Sequence, residues 1–344
     1  MHFADNRNKI GKYIPAVVFL IFIYGMALWF IFSPKPDYSS SEKRYLQKFP
    51  EVTAEKLLSG DFGSEFETFF ADRFPQRNTW VGLNAYTALA EGNNGASGVY
   101  NCKNGYLINK PVSTENNLDK NIGAVADFAK SIDTPTTVML VPSTGYIVDD
   151  VLPTFHDKYN DDEDISKISS TLSKDKIGFV DLRERFKSEY KNGSQLYYKT
   201  DHHWTTKGAY TGYQELCKAL GITPIDDSTL KKDSYPDFYG TTYSSSGFWL
   251  TPPDNIEIWN NPKNSDRNIS VKITEGANIK TSGSMYFTDH LKEDDKYPVF
   301  IDGNHALTEI TNTNAKNGTI LLIKDSFSHS LAPFLAENYS KVVL

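Results

Sequence analysis

The chain has 344 residues, of which 39% are hydrophobic and 23% are charged. This length and composition fit one large folded domain with appendages and exclude a globally disordered protein. Lys and Arg number 36 against 43 Asp and Glu, which gives a net charge of −7. This balance argues against a nucleic-acid partner, which would favour a basic surface. With only two cysteines, Cys102 and Cys217, a disulfide scaffold and a cysteine-rich zinc site are excluded.

A segment near the N-terminus is typical of a membrane anchor. Residues 14–32 carry no charged side chain and are almost all apolar. At about 1.5 Å per residue, a helix of this length matches a hydrocarbon core of ~30 Å. The Ser-Pro-Lys-Pro sequence that follows lacks the small-x-small pattern of a cleavage site, so we expect an uncleaved anchor. Arg7, Lys9 and Lys12 precede the segment, which favours an N-terminus inside the cell.

The length of the chain behind this segment predicts the domain organisation. A large folded domain that follows a short N-terminal apolar segment is the usual layout of an exported, tethered protein. We therefore expect a single-pass protein of the cell membrane with its folded domain outside the cytoplasm. The predicted divisions are a cytoplasmic tail (1–13), a transmembrane anchor (14–32), a linker (33–50) and an extracytoplasmic domain (51–344).

The rest of the chain alternates between helical and strand patterns. Short apolar runs predict buried strands at 137–141, 177–182, 319–323 and 341–344. Apolar stripes at helical spacing predict helices at 62–74, 118–132, 165–172, 205–220 and 331–339. This alternation favours an α/β fold with a parallel sheet flanked by helices on both faces. The polar segment 224–298 is predicted to be an irregular insertion that contains strands.

The most distinctive cluster is the run Asp201-His202-His203-Trp204, which precedes a predicted helix with Thr205 as its N-cap. In an extended segment alternate residues face the same side, so Asp201 and His203 share a face and His202 points away. A carboxylate beside a histidine holds its tautomer and stabilises the imidazolium, so the pair suits acid–base catalysis. Metal binding and structural polar packing are the competing interpretations.

A second candidate is Ser326, between the predicted strand 319–323 and the last helix. In α/β sheets, ligands bind beyond the carboxyl ends of the strands. The first N–H groups of the following helix can stabilise a developing oxyanion there. Ser326 is therefore a candidate nucleophile, and a simple helix N-cap is the alternative. His329 is expected to face solvent at the start of the same helix.

The third candidate is a pair of segments, 237–243 and 302–305. They contain glycines and an asparagine that can furnish oxyanion donors, although each segment also fits an ordinary turn. The chain contains no GxSxG elbow, Walker loop, GxGxxG or HExxH motif. Nucleotide and dinucleotide chemistry therefore have no support, and we expect no cofactor and no resident metal.

These motifs give the chain a resemblance to a known family. The blocks DHHWTTKGAY (201–210) and LLIKDSFSHSLAPFL (321–335) resemble the bacterial DHHW protein family. That family is related to the alginate O-acetylation proteins of the SGNH-hydrolase-like superfamily. Further, weaker matches lie at 69–80, 104–108, 141–153, 239–247 and 302–310.

The resemblance implies an SGNH-hydrolase-like fold and a triad in which Asp201 orients, His203 is the base and Ser326 is the nucleophile. It implies O-acetyl transfer to hydroxyls of an exopolysaccharide or cell-wall glycan, with acetyl supplied by a membrane-bound O-acyltransferase partner. A carbohydrate esterase with the same triad and a non-catalytic glycan-binding or assembly protein are the alternatives. The resemblance also implies a chain that continues beyond the run 341–344.

Overall fold

The computed structural model describes residues 12–112, 117–175 and 177–344. The chain divides into two compact units between Asn84 and Ala85. Most of the predicted cytoplasmic tail, residues 1–11, lies outside the described residues. The predicted domain divisions therefore stay predictions.

The first unit consists mainly of helices. Helix α1 is the one described helix that is long and apolar enough to cross a membrane, and none of its residues is buried. The predicted amphipathic helix at 62–74 is confirmed as α3. The elements of this part of the chain are α1 (Ile14–Phe32), β1 (Tyr38–Ser39), β2 (Arg44–Tyr45), α2 (Ala54–Ser59), α3 (Asp61–Asp72) and α4 (Arg77–Ala90).

The second unit mixes helices and strands. Its helices are α5 (Leu118–Ser131), α6 (Thr144–Ile147), α7 (Asp161–Lys174), α8 (Arg183–Lys191), α9 (Thr206–Leu220), α10 (Thr241–Ser246) and α11 (Ser328–Asn338). Its early strands are β3 (Gly95–Ala96), β4 (Val99–Asn101), β5 (Leu107–Asn109), β6 (Thr137–Leu140) and β7 (Gly178–Asp181). Its later strands are β8 (Lys231–Phe238), β9 (Asp254–Asn260), β10 (Ile269–Glu275), β11 (Asn278–Ser282), β12 (Leu307–Asn312), β13 (Asn317–Leu321) and β14 (Tyr339–Val343).

The α/β class is confirmed, but the sheets are smaller and more mixed than the predicted parallel sheet. The pairs β6–β7 and β13–β14 are parallel. The largest sheet has the order β11-β10-β12-β14-β13, and its other three pairs are antiparallel. The difference arises because the polar segment 224–298 is more regular than predicted: it forms β8 to β11, and β10 pairs antiparallel with β12.

Two helices at the centre of the second unit follow the two candidate motifs. Helix α9 begins after Thr205, whose side chain accepts from the Gly208 N–H, and ends at Gly221 with a positive φ, so both predicted caps are confirmed. Helix α9 packs against α11. The rings of Tyr213 and Phe334 stack at 5.6 Å between these helices. This packing brings the two motifs together, although they lie more than a hundred residues apart in sequence.

Candidate active site

The Asp-His-His-Trp segment forms a tight loop whose ends are held together by the backbone. Tyr197 and Trp204 form an antiparallel bridge. The Tyr198 N–H donates to the His203 carbonyl at 3.2 Å, and the Thr205 N–H donates to the Leu196 carbonyl at 2.8 Å. The two ends are thus closed, and residues 199–203 form the tip that carries the candidate side chains.

A buried carboxylate holds the tip of this loop in place. Asp254, the first residue of β9, is 5% exposed. It accepts from the backbone N–H groups of Lys199 at 3.0 Å and Thr200 at 2.8 Å, and from the Thr200 hydroxyl at 2.7 Å. The Gln195 amide adds a further bond at 3.1 Å. These four donors compensate the burial of the carboxylate and hold the loop backbone in one conformation.

Asp201 and His203 share one hydrogen-bonded unit. Asp201 Oδ1 lies 2.5 Å from His203 Nδ1 and also accepts from the His203 N–H at 2.8 Å, as in an Asx turn. Its second oxygen accepts from the Thr241 N–H at 2.7 Å and from the Thr241 hydroxyl at 3.1 Å. Both side chains are buried, with 2% and 5% of their side-chain surface exposed.

His203 reaches the candidate serine with its other ring nitrogen. The distance from His203 Nε2 to Ser326 Oγ is 2.7 Å. Ser326 is half-buried and lies in the turn between β13 and α11. Trp204 connects the two motifs as well, since its indole N–H lies 3.0 Å from the Phe327 carbonyl and 2.9 Å from the Ser330 hydroxyl. The structure therefore brings all three predicted site residues into one hydrogen-bonded line.

The electrostatics of this hydrogen-bonded line favour the ionised form of the Asp201 carboxylate. Burial alone would raise the pKa of Asp201, but the hydrogen bond from His203 and the charges of the two neighbouring histidines outweigh it, so that the pKa lies below its ordinary value. Because Asp201 is ionised, it accepts the Nδ1 proton of His203 and leaves Nε2 free to accept from Ser326.

An aromatic ring that the sequence analysis did not single out supports His203. Tyr297 stacks on the imidazole with a centroid separation of 3.9 Å and an interplanar angle of 12°. Its hydroxyl donates to the Ser326 carbonyl at 3.2 Å. Burial raises the pKa of Tyr297 well above its usual value, so the hydroxyl stays protonated. Tyr297 thus touches both partners. It lies in a short 3-10 helix (Tyr297–Val299) outside both motifs, so the local sequence gives no signal of this role.

The backbone amides around Ser326 differ from the expected arrangement. The Phe327 N–H donates to Asp325 Oδ1 at 3.0 Å, and the Ser328 N–H donates to the Asp325 carbonyl at 3.2 Å. The His329 N–H donates to the Ser326 carbonyl at 3.2 Å. The first amides of α11 are therefore already occupied. The Ser326 N–H itself has no hydrogen-bond acceptor among the described residues.

His202 does not point away from its neighbour, as the alternation of an extended segment had predicted. Its ring centroid lies 3.9 Å from that of His203, and its Nδ1 lies 2.7 Å from the Thr241 hydroxyl. The reason is the tight turn at the loop tip, which removes the extended geometry. Asp201, His202 and His203 together offer ligand atoms within 4.8 Å of one another, so this cluster is also the candidate metal position within the described residues.

The expectation that His329 faces solvent is wrong. His329 is 2% exposed, and its Nε2 accepts from Lys324 Nζ at 2.7 Å. Lys324 also donates to Asn304 Oδ1 at 2.9 Å, so the candidate loop 302–305 meets the serine turn here. Burial and the nearby charge of Lys324 lower the pKa of His329 to about 3. Asn304, whose Oδ1 lies 2.9 Å from His329 Nε2, and the ring of Tyr297 cover this helix start, which the local sequence pattern does not reveal.

Several solved structures are similar to this chain. A DHHW family protein from Eubacterium siraeum is 18% identical, with 72% of this chain and 82% of that chain covered and a TM-score of 0.58. Bacillus cereus PatB1, solved with a sulfonyl adduct, is 20% identical, with coverage of 70% and 83% and a TM-score of 0.57. The O-acetyltransferase domain of Pseudomonas putida AlgJ is 12% identical, with coverage of 71% and 78% and a TM-score of 0.44.

No curated protein matches the chain. The family profile described as "DHHW protein" matches residues 88–344, which contain both motifs and the whole hydrogen-bonded line. The resemblance predicted from those motifs is thus confirmed, and the chain belongs to the DHHW protein family.

Proposed function

We propose that this protein is a membrane-anchored, extracytoplasmic serine O-acetyltransferase that acylates hydroxyls of an exopolysaccharide or cell-wall glycan. The observation that carries the proposal is the hydrogen-bonded line Asp201–His203–Ser326, with contacts of 2.5 and 2.7 Å. An acid, an imidazole and a hydroxyl in this order are the parts of a serine acyl-transfer site.

The first half-reaction places the acyl group on Ser326. His203 Nε2 takes the proton of Ser326 Oγ as the oxygen attacks the acyl carbonyl carbon. The tetrahedral oxyanion then collapses, the bond to the leaving group breaks, and His203 returns the proton to that group. Asp201 keeps the imidazole in the required tautomer and stabilises the imidazolium.

The developing oxyanion needs donors, and the amides of α11 are already occupied. Among the described residues the Ser326 N–H is a donor that the turn leaves unpaired, and it belongs to the candidate nucleophile itself. We assign it to the oxyanion, since a backbone amide held by a rigid turn needs little reorganisation when charge develops. This replaces the expectation that the helix amides serve that purpose.

The second half-reaction decides whether the protein acts as a transferase or as an esterase. A glycan hydroxyl gives its proton to His203 and attacks the acyl carbon. The bond between that carbon and Ser326 Oγ then breaks, His203 returns the proton to Oγ, and the sugar is left esterified. If water takes the place of the sugar, the same steps make an esterase. We propose that acetyl arrives from a membrane-bound O-acyltransferase partner, as the family resemblance implies.

Three further observations support the proposal. The chain belongs to the DHHW protein family, and the resemblance of its motifs implies a relation of that family to O-acetylation proteins. Its fold is similar to that of Bacillus cereus PatB1, which was solved with a sulfonyl adduct. Helix α1 has the length and the hydropathy needed for an anchor.

The test uses the full chain in detergent with an aryl acetate as donor and an oligosaccharide as acceptor. We expect acetyl esters on the sugar, and we expect Ser326→Ala to abolish them. Ser328→Ala is the matched control, since it removes a hydroxyl two residues away, at the first residue of α11, and should keep most of the activity. Free acetate without sugar ester would instead favour the esterase. Sugar binding without any acyl turnover would contradict the proposal and favour a binding protein.

A further inference from the structure

Helix α3 in the first unit presents a row of aromatic side chains that the proposed reaction does not use. Phe62, Phe66 and Phe69 recur along one side of the helix, Phe70 lies beside them, and Phe49 from the preceding segment contacts three of them. We call these five residues the aromatic face. Phe66 is 40% exposed and Phe70 is 41% exposed. An apolar helical stripe of this kind normally packs against another surface.

The aromatic face adjoins the end of helix α1. The ring of Phe30, in the last turn of α1, lies 4.7 Å from that of Phe70 and 6.2 Å from that of Phe69. Helix α1 has 19 residues, none of which is buried, and at about 1.5 Å per residue it spans a hydrocarbon core of ~30 Å. The aromatic face therefore begins at the level where such a span ends.

Partly buried polar contacts tie the end of α3 to the segment that follows α1. Arg44 binds Asp72 at the end of α3 through two hydrogen bonds of 2.9 and 2.6 Å. The Gln47 N–H donates to the same carboxylate at 2.9 Å. Arg73 donates to the carbonyls of Gln47 at 3.0 Å and Pro36 at 2.7 Å. The segment between the two helices is thus folded back on α3 and limits its orientation.

The surrounding side chains have the distribution of an interfacial helix. Lys35 follows α1, and its ammonium lies 4.0 Å from the centroid of the Phe30 ring, as a lysine at a membrane boundary does when its stem follows apolar surface. On the opposite side of α3, Ser64, Glu67 and Thr68 are exposed. Aromatic rings on one side and polar groups on the other are typical of helices that lie in the headgroup region.

We propose that the aromatic face lies in the headgroup region of the phospholipid bilayer that α1 crosses, so that the protein contacts the membrane at a second place besides its anchor. The inference rests on the proposed membrane crossing of α1. The apolar rings move out of water and into the boundary of the hydrocarbon core, while the polar side of α3 stays hydrated. The contact then restrains the first unit relative to the membrane surface.

The test uses the full chain at one copy per phosphatidylcholine/phosphatidylglycerol nanodisc, with a nitroxide label at a single introduced cysteine. The native Cys102 and Cys217 are both buried, and the unsubstituted chain reports any background labelling. The labelled variants are Val18→Cys in α1, Phe66→Cys in the aromatic face and Ser64→Cys on the opposite side as the matched control. The readout is the ratio of collision with oxygen, which concentrates in lipid, to collision with a water-soluble nickel chelate.

We expect a several-fold higher ratio at positions 18 and 66 than at position 64. A ratio at position 66 equal to that at 64 overturns the inference, as does a label at 66 that neither reagent reaches, since protein then covers it. The label at position 18 tests the anchor separately. If the label at 18 lies in lipid and the label at 66 lies in water, this inference alone is wrong. If the label at 18 lies in water, the membrane part of the proposed function is wrong too. If Phe66→Cys does not fold, Phe66→Trp keeps the aromatic bulk. Brominated lipid should then quench the fluorescence of the tryptophan introduced at position 66 several-fold more than that of the tryptophan introduced by Ser64→Trp.

Discussion

Gly240 lies so close to Asp201 that a Cβ atom at position 240 would stand 2.1 Å from Asp201 Cβ and 2.3 Å from Asp201 Oδ2. Real Cβ atoms essentially never approach other heavy atoms this closely. The segment 237–243, which the sequence predicts to be either a donor loop or an ordinary turn, therefore forms the wall behind the carboxylate. Only a residue without a side chain leaves Asp201 in place to hold His203.

The first prediction concerns this contact. Gly240→Ala should displace Asp201 and reduce the rate of serine acylation by about 100-fold, the typical cost of a misplacement of ~1 Å in a catalytic site. The acylation rate with an aryl acetate measures the effect, and a melting curve reports the stability. Gly123→Ala in α5 is the matched control, because nothing lies within 4 Å of its added Cβ. An unchanged rate in Gly240→Ala would contradict the role of this wall.

The second prediction concerns the tautomer of His203. Asp201→Asn keeps the size of the side chain but removes the charge that accepts the Nδ1 proton at 2.5 Å. Turnover should fall by about 10⁴-fold while the fold persists, because the imidazole then presents the wrong nitrogen to Ser326. Steady-state kinetics measures the loss. Asp289→Asn, at a carboxylate that is 91% exposed, should have no effect. A loss of less than tenfold at position 201 would contradict the assigned role.

The third prediction separates the two contacts of Tyr297. Tyr297→Phe keeps the ring that stacks on His203 but loses the hydrogen bond to the Ser326 carbonyl. The acylation rate should fall by about tenfold or less, which is the value of one hydrogen bond. Tyr297→Leu removes the flat surface as well, so its rate should fall further. Equal rates for both variants, at equal folded fraction, would show that the stacking has no part in positioning His203.

The fourth prediction is a pH dependence of stability. His329 is buried, and its pKa is lowered from 6.5 to about 3, so the folded chain keeps it neutral while the unfolded chain protonates it below pH 6.5. The unfolded state then binds more protons, and the free energy of unfolding must fall as the pH falls. Between pH 7 and pH 5 this residue should contribute a loss of about 2 kcal/mol.

Denaturant unfolding at both pH values measures this loss. His329→Gln, which can still accept from Lys324, should reduce the difference in unfolding free energy between pH 7 and pH 5 by that amount. His156→Gln, at an exposed histidine, should leave the difference unchanged. The same pH dependence in His329→Gln and the native chain would contradict a neutral, buried His329.

The sequence patterns predict the local elements of this fold well, because each depends on neighbours in the chain. The caps of α9, Thr205 and Gly221, act within a few residues of the helix ends. The strand pairing was harder to predict. Strand β14 lies between β12, with which it pairs antiparallel, and β13, with which it pairs parallel, and this order depends on long-range contacts. The antiparallel strands β10 and β11 come from the segment 224–298, whose polar composition masks its strands.

The same distinction applies to the site. Asp201, His203 and Ser326 carry local motif signals, and the structure places them in contact. Other parts of the site come from segments that are distant in sequence, namely Tyr297, Gly240 and Thr241. The spacing of residues within those segments does not predict that they lie beside Asp201 and His203. The prediction for His329 is wrong for a related reason: a helix start is usually exposed, but here Asn304 and Tyr297 from other segments cover it.

The central claim is that Ser326 is a nucleophile activated by His203 through the 2.7 Å contact. The most direct measurement is the intact mass of the full chain, quenched rapidly after mixing with an aryl acetate, followed by peptide mapping. We predict one added acetyl group on the peptide that contains Ser326, its absence in Ser326→Ala, and its much slower appearance in His203→Ala. No adduct in the native chain, or an adduct that persists unchanged in Ser326→Ala, would contradict the account.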